Sequence, residues 1–129
     1  MDSFAQADRR FFETKSIAHL ATLMADGSPQ VTPVWIDVDD GGYVLVNTAP
    51  GRVKDLNVRR DSRVALSITD VADPYKWIAV RGKVIEMRTE GAWEHINELS
   101  MRYNGQPYPI EGERVIYRIE PDYISRSSG

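Results

Sequence analysis

Apolar residues recur along the chain in short runs, most of which alternate with polar residues and end at turn-forming residues. This period of two predicts β-strands. Asp26-Gly27 and Asp39-Asp40-Gly41-Gly42 tolerate the positive φ of hairpin turns, so the first strands should form an antiparallel meander. The predicted strands cover residues 16–24, 30–38, 43–46, 64–69, 77–87 and 114–124.

Helical spacing of apolar residues replaces this pattern in two places. A first helix is predicted over residues 4–14, with Ser3 and Gln6 as a capping box, and a later helix is predicted with Thr89 as its N-cap. A short helix-like turn also follows Pro50-Gly51. The pattern as a whole predicts a mainly β protein with accessory helices, a small six-stranded antiparallel barrel that is closed or nearly closed. The apolar face of the later helix is predicted to be Trp93, Ile96, Leu99 and Tyr103.

Three residues interrupt the predicted strands. Gly82, inside a long strand, predicts a bulge or bend, and Pro121 marks an interruption of the last ladder. Pro33 lies in the middle of a strand pattern and cannot donate a ladder hydrogen bond. Two interpretations of Pro33 stay open: an edge strand protected against aggregation, or an edge along which a ligand lies.

Length and composition indicate one domain, residues 1–129, with 42% hydrophobic and 27% charged residues. The chain has no long apolar run and no signal-peptide pattern at its start, so we expect a soluble cytoplasmic protein without a membrane partner. A net charge of −3 argues against nucleic acid as a partner. The absence of cysteine excludes disulfides and thiolate chemistry.

The two histidines lie on different predicted elements, so no metal site is expected. His19 is interpreted as a hydrogen-bonded core or surface residue. His95, which is close to Glu94 and Glu98 in the sequence, is predicted to be solvated. Arg81 and Arg126 have no carboxylate nearby in the sequence and are also expected to be solvated.

Positive charge is concentrated in residues 52–63, which we call the basic segment. It contains five basic residues against Asp55 and Asp61. Backbone N–H groups at the start of a helical turn, together with Arg and Lys, can bind a phosphate. The alternative is a surface helix whose cations face water. Walker, G-x-G-x-x-G and G-x-S-x-G motifs are all absent from the sequence, which disfavours the common nucleotide sites and a serine hydrolase.

Aromatic residues open the fifth predicted strand. Trp77, which follows Tyr75 and Lys76, is either a core residue or a flat apolar surface for a ring ligand.

Several pieces of the sequence, in this order and spacing, resemble the pyridoxamine-phosphate-oxidase-like (PPOX class) FMN-binding split-barrel family. The form of the basic segment is similar to the small deazaflavin (F420)-dependent branch of that family. The resemblance implies a split barrel that forms a homodimer, with FMN or coenzyme F420 bound at the subunit interface. The pieces are Ala18–Leu23, Asp26-Gly27, Pro29–Trp35, Asn47–Leu66, Trp77–Gly82 and Tyr117–Pro121.

The resemblance also implies roles for particular residues. Arg52 and Lys54 would bind the cofactor phosphate together with Thr48, Asn47 and Asn57. The ring system would lie along Thr32, Pro33 and Val34, and Trp77 would approach from near the dimer interface.

The implied activity is a reductase that passes hydride from reduced F420 to a small unsaturated or oxidised substrate. An FMN-dependent oxidoreductase and a cofactor-binding protein without turnover are the alternatives. True pyridoxamine phosphate oxidases are longer and carry a substrate-binding C-terminal region, so that activity is not expected for a chain that stops at Gly129. Because the ring of such a cofactor performs the chemistry, no acid–base dyad is expected in the protein.

Overall fold

One antiparallel sheet of seven strands organises the computed structural model, which describes residues 1–127. The strand order is β2-β1-β5-β6-β7-β4-β3. The sheet curls into a half-barrel that stays open, with β2 and β3 as its two edges. The strands are β1 (Ala18–Leu23), β2 (Pro29–Val34), β3 (Asp37–Val38), β4 (Val44–Thr48), β5 (Arg63–Thr69), β6 (Trp77–Arg88) and β7 (Val115–Arg126).

The prediction of six strands is wrong at one point, because residues 30–38 form two strands. β2 pairs with β1, whereas β3 pairs with β4 at the opposite edge of the sheet. The chain crosses the open side of the half-barrel at Trp35-Ile36. Ile36 is fully buried there, with its N–H bonded to the Tyr103 hydroxyl oxygen at 3.2 Å. Because Val34, Ile36 and Val38 are all buried, the alternation of a strand continues through this segment, and the sequence pattern does not show that β2 ends before β3 begins.

Short helices accompany the sheet. A 3-10 turn (Gln6–Arg9) leads into α1 (Arg10–Glu13), and α2 (Val53–Arg60) and α3 (Ala92–Asn104) follow later in the chain. None of the helices within residues 1–127 is long and apolar enough to cross a lipid bilayer.

The helix caps differ from their predicted positions. At the N-terminus, the carboxylate of Asp8 accepts a hydrogen bond from the Ala5 N–H at 2.6 Å, so the contact forms two residues after the predicted Ser3 and Gln6 pair. At α3 the N-cap is Gly91, with φ of +75°, instead of Thr89. A left-handed backbone at this position favours glycine.

The main core fills the concave face of the sheet. Its largest fully buried side chains include Tyr117, Phe12 and Leu20. A second, smaller cluster is formed by Ile96 and Leu99 on α3 with Tyr103, against which Trp35 packs. The core therefore fixes α3 close to the point where the chain crosses between the sheet edges.

The interruptions at Gly82 and Pro121 belong to one irregularity, as the sequence predicted. The β6–β7 register shifts between Arg81 and Gly82, so that Asp122 is left unpaired. A Cβ at Gly82 would overlap the backbone carbonyl oxygen of Glu120. Glycine is thus required by the close approach of the two strands.

Candidate functional site

A cavity of about 330 Å³ lies between the end of β2, the end of β4, the start of α2 and α3. We call it the cationic cavity. Six residues that the sequence analysis placed at a cofactor site line it together: Pro33, Val34, Asn47, Thr48, Arg52 and Lys54. They come from three separate segments, which the fold brings to one place.

Three other predicted site residues lie outside this lining. Thr32 precedes Pro33 on β2, and its buried hydroxyl oxygen has no hydrogen-bond partner within residues 1–127. Asn57 is 2% exposed, and its side-chain amide donates to the hydroxyl of Thr22 at 3.0 Å. Trp77 lies at a different cavity, beside the N-terminal residues, and is 41% exposed. Cofactor contact for these three residues stays a prediction.

The cationic cavity concentrates positive charge without counter-ions. Arg52, Lys54 and Arg114 all line it, and none of the three forms an ion pair with a carboxylate in the described part of the chain. Burial and then repulsion from Arg52 and Arg114 lower the pKa of Lys54. Burial likewise lowers the pKa of Arg114. Partly buried cations without a carboxylate partner are expected where an anion binds.

Asp55, which follows Lys54 in the sequence, binds other groups with its carboxylate. It accepts hydrogen bonds from the Gly51 N–H at 2.8 Å, from Arg59 at 2.9 Å and from the Tyr117 hydroxyl at 2.9 Å. Burial would raise the pKa of Asp55, but these hydrogen bonds outweigh it and hold that pKa below its usual value. Asp55 therefore fixes the start of α2 on the core, and its attraction offsets only part of the effect of burial and of Arg52 and Arg114 on the pKa of Lys54.

Arg114 is a cavity residue that the sequence analysis did not identify. Its Nε donates to Asn47 Oδ1 at 2.9 Å, and its guanidinium lies 5.0 Å from the centre of the Tyr108 ring. The signal that could have found it is strand register, because Thr48 on β4 pairs with Val115 on β7. That pairing puts Arg114 beside Asn47 and Thr48.

Aromatic rings form one wall of the cavity. Trp35 stacks on Tyr103, with ring centres 5.0 Å apart and an interplanar angle of 8°. Tyr108 meets Trp35 edge to face at 6.3 Å. This wall offers the flat apolar surface that the sequence analysis expected from Trp77.

Two predictions about α3 are wrong. Trp93 is 38% exposed, whereas His95 is 8% exposed and bonded to Asp37 and Asn47. Ile96, Leu99 and Tyr103 are buried as predicted. The buried face also includes Ala92 and His95, one turn before Ile96 and Leu99, and Trp93 lies outside it.

Arg126 is exposed, as expected, but it also has a carboxylate partner. Its Nη2 lies 2.8 Å from Asp8 Oδ2, although the two residues are 118 positions apart. This pairing follows from the docking of the N-terminus on β7, which no local pattern indicates. Arg81 is exposed as well, with its guanidinium 4.5 Å from the centre of the Tyr123 ring.

The fold is a curled, open antiparallel half-barrel of the mainly β class, with a group of cations at a cavity along its edge. Within that class, this chain belongs to the pyridoxamine 5'-phosphate oxidase family, whose sequence model, described as "Pyridoxamine 5'-phosphate oxidase", matches residues 4–127.

Solved structures agree with that assignment. A protein titled "F420 Reductase" is 30% identical, with 89% of this chain and 93% of that chain covered and a TM-score of 0.79. A conserved hypothetical protein from Mycobacterium tuberculosis is 25% identical, with 96% and 84% covered and a TM-score of 0.77. A putative pyridoxamine 5'-phosphate oxidase from Listeria innocua, 18% identical over 85% and 86% with a TM-score of 0.64, shares the fold. No curated protein sequence matches the chain significantly.

Proposed function

We propose that this protein is an F420-dependent oxidoreductase, which transfers hydride from the reduced cofactor to a small unsaturated or oxidised organic substrate. The observation that carries the proposal is the uncompensated cluster of Arg52, Lys54 and Arg114 at one cavity. The similarity to the structure titled "F420 Reductase" supports the choice of deazaflavin.

The phosphate of the cofactor would be held by Arg52, Lys54 and Arg114. Charge-assisted hydrogen bonds are about twice as strong as neutral ones, and burial strengthens them further. Thr48, 2% exposed at the end of β4, would add its hydroxyl to the same site. The phosphate would relieve the repulsion among the three cations, which fits the lowered pKa of Lys54.

The ring of the cofactor would lie along Pro33 and Val34, against Trp35. β2 is an edge strand, and Pro33 has no N–H, so no further strand can pair at this point. Of the two interpretations of Pro33, we propose the edge along which a ligand lies.

The bound cofactor would supply the hydride, and the residues of this chain would bind it, orient it and limit access of water. Tyr108 and Arg114 line both the cationic cavity and a second cavity beside it, which residues 110–113 also line. No general acid or base is needed from the protein to explain hydride transfer itself.

A homodimer is part of this proposal, with the cofactor near the subunit interface. The face of the sheet opposite the core carries exposed apolar residues, among them Val31 (58%), Trp77 (41%) and Tyr123 (61%). Apolar side chains grouped on one face are typical of an interaction surface. We expect a dimer by light scattering, and a monomer that still binds cofactor would contradict the interface site.

One observation favours FMN as the alternative cofactor. A second cavity, of about 280 Å³, shares Arg52 and Arg114 with the cationic cavity and is also lined by Glu111 and Glu113. These carboxylates would repel the acidic glutamyl tail of F420, whereas FMN ends at its phosphate.

The proposal is tested by titrating the purified protein with F420 and with FMN in parallel, following ring fluorescence. Selective F420 binding, followed by turnover of reduced F420 with enones or quinones, is the expected result. Selective FMN binding would move the protein to the flavin branch. Binding without turnover on the whole panel would favour the carrier alternative, and binding of neither cofactor would refute the proposal.

A further inference from the structure

We infer that His95 is a positioning residue, which acts through Asn47 to hold the guanidinium of Arg114 at the cationic cavity. The inference rests on the proposed function only for the chemical class of the ligand, a phosphate-bearing ring cofactor. His95 itself is not among the residues that line the cavity.

The orientation of the Asn47 amide is fixed by two partners that have only one role each. Arg114 Nε can only donate, and it lies 2.9 Å from Asn47 Oδ1. The carbonyl oxygen of Ala92 can only accept, and it lies 2.8 Å from Asn47 Nδ2. The oxygen of the amide therefore faces Arg114, and its nitrogen faces α3.

This orientation determines the tautomer of His95. Asn47 Nδ2 also lies 3.2 Å from His95 Nδ1, and since Nδ2 only donates, Nδ1 must accept. The ring proton is then on Nε2, which donates to Asp37 Oδ2 at 3.0 Å. The donor and the acceptor are thus determined for each hydrogen bond of the series Arg114–Asn47–His95–Asp37.

The far end of this chain of hydrogen bonds is anchored in the core. Asp37 Oδ1 accepts from Arg102 Nη2 at 3.1 Å. Arg102 Nη1 in turn donates to the carbonyl oxygens of Phe12 and Ile36, at 2.7 and 3.0 Å. His95 consequently connects a rigid part of the fold to the one cavity arginine that lies outside the basic segment.

Without an acceptor at the position of Nδ1, one N–H of Asn47 would lose its partner at a site where His95 is only 8% exposed. A buried unpaired donor is costly, so the amide would rotate or shift towards water. Arg114 would then lose the acceptor that orients its Nε. The expected loss is affinity for the phosphate, with little effect on affinity for the ring.

Two isosteric substitutions separate positioning from mere packing. In His95→Asn, the side-chain oxygen can take the place of Nδ1 and accept from Asn47. In His95→Gln, the longer side chain carries its amide near the position of Nε2, where it can donate to Asp37, and the acceptor for Asn47 is lost. Both variants remove the ring, so a purely structural role predicts similar effects for them. Glu98→Gln, on the exposed side of the same helix, is the control.

The readout is the affinity ratio within two ligand pairs, FMN with riboflavin and F420 with its phosphate-free deazaflavin chromophore. His95→Gln should weaken the phosphate-bearing member by about tenfold, the effect of losing one hydrogen bond to a charged group, and leave the phosphate-free member unchanged. His95→Asn should retain most of that affinity, and Glu98→Gln all of it. Equal losses in the Asn and Gln variants, or an unchanged ratio in both, would overturn the inference.

Nitrogen-15 NMR of the ligand-free protein is an independent test of the positioning role of His95. We expect His95 as the Nε2–H tautomer, and an Arg114 Nε–H signal that persists in wild type and His95→Asn but exchanges rapidly in His95→Gln. A proton on Nδ1, or an Arg114 signal indifferent to the Gln variant, would refute the positioning role. If wild type does not distinguish phosphate-bearing from phosphate-free ligands, the proposed function fails, while this NMR measurement still decides the inference.

Discussion

Two of the cavities that are lined by cations differ in what neutralises the charge. The N-terminal cavity, formed by residues 6–11 with Asp70, Lys76, Trp77 and the end of β7, has a volume of about 510 Å³. Its two arginines are both paired: Arg10 with Asp70 at 2.6 Å and Arg126 with Asp8 at 2.8 Å. The cationic cavity is smaller, and its arginines and lysine have no carboxylate partner among the described residues.

This difference, and not volume, is the reason why we propose the smaller cavity as the binding site. In the N-terminal cavity the ion pairs join segments that are distant in sequence. In the cationic cavity the like charges repel, and a bound anion would offset that cost. The four predictions below test this contrast, beginning with the largest expected effect.

Removing a cation of the cationic cavity should strongly weaken cofactor binding. Lys54→Ala and Arg52→Ala are each expected to cost about 1.5–3 kcal/mol of binding free energy, the usual value for a hydrogen bond to a charged group. Fluorescence titration measures the loss. Lys76→Ala, which removes a lysine from the N-terminal cavity, should leave affinity unchanged. If neither Ala variant changes affinity, the phosphate binds elsewhere.

Removing a carboxylate from the N-terminal cavity should instead destabilise the fold. Arg10 and backbone N–H groups lower the pKa of Asp70 to about 2. Because the pKa is lower in the folded state, the stabilisation is present above the ordinary carboxyl range and is lost as pH falls from about 4 towards 2. Asp70→Asn should lose about 1 kcal/mol at pH 7, since Arg10 is half exposed and the pair is partly screened.

Urea unfolding at several pH values checks this expectation. The wild type and Asp70→Asn should differ at pH 7 and converge towards pH 2, and cofactor affinity should be the same in both. A difference in unfolding free energy that persists at low pH would show that the ion pair is not its origin.

Removing a charge from the cationic cavity should have the opposite effect on stability. The pKa of Lys54 is lowered by burial and by Arg52 and Arg114, so its protonated form is disfavoured in the ligand-free fold. Lys54→Met keeps the aliphatic stem and removes the charge. It should raise the free energy of unfolding by about 0.5 kcal/mol while weakening phosphate-dependent affinity about as much as Lys54→Ala does. A less stable Lys54→Met protein would mean that the charge is already compensated.

The last prediction extends the contrast to salt. Affinity for the phosphate-bearing cofactor should fall with rising ionic strength, because the site depends on charge, whereas affinity for riboflavin should change less than twofold. Isothermal titration at 0.05 and 0.5 M NaCl measures both. If the affinities for the two ligands depended equally on salt, the cations of the cationic cavity would not be what binds the phosphate.

The basic segment shows how much of the site was visible in the sequence. Arg52 and Lys54 were named from the family resemblance, and the local pattern that agrees with it is the group of cations after the turn at Pro50-Gly51. Arg114 was not named, because its place depends on the β4–β7 register. His95 was missed because its neighbours Glu94 and Glu98 in the sequence indicated a solvated residue, whereas it lies on the buried face of α3.

The fold was predictable where the signals are local and not where they depend on partners. The hairpin turns, the bulge at Gly82 and the edge position of Pro33 follow from single residues with strong backbone preferences. The crossing at Trp35-Ile36 does not, since Ile36 is buried like a strand residue but bonds to side chains of α3. The dimer that we propose would depend on a second chain, so no pattern within one chain can establish it.

The crossing at Ile36 has a consequence for local unfolding. Its amide should exchange hydrogen with solvent only when α3 lifts from the sheet, because its bond is with Tyr103 of that helix. The same opening would release Asn47 from Ala92 and His95, and with it Arg114. Exchange at Ile36 and mobility of the Arg114 guanidinium should therefore respond together, as parts of one cooperative unit, and ligand binding should slow both.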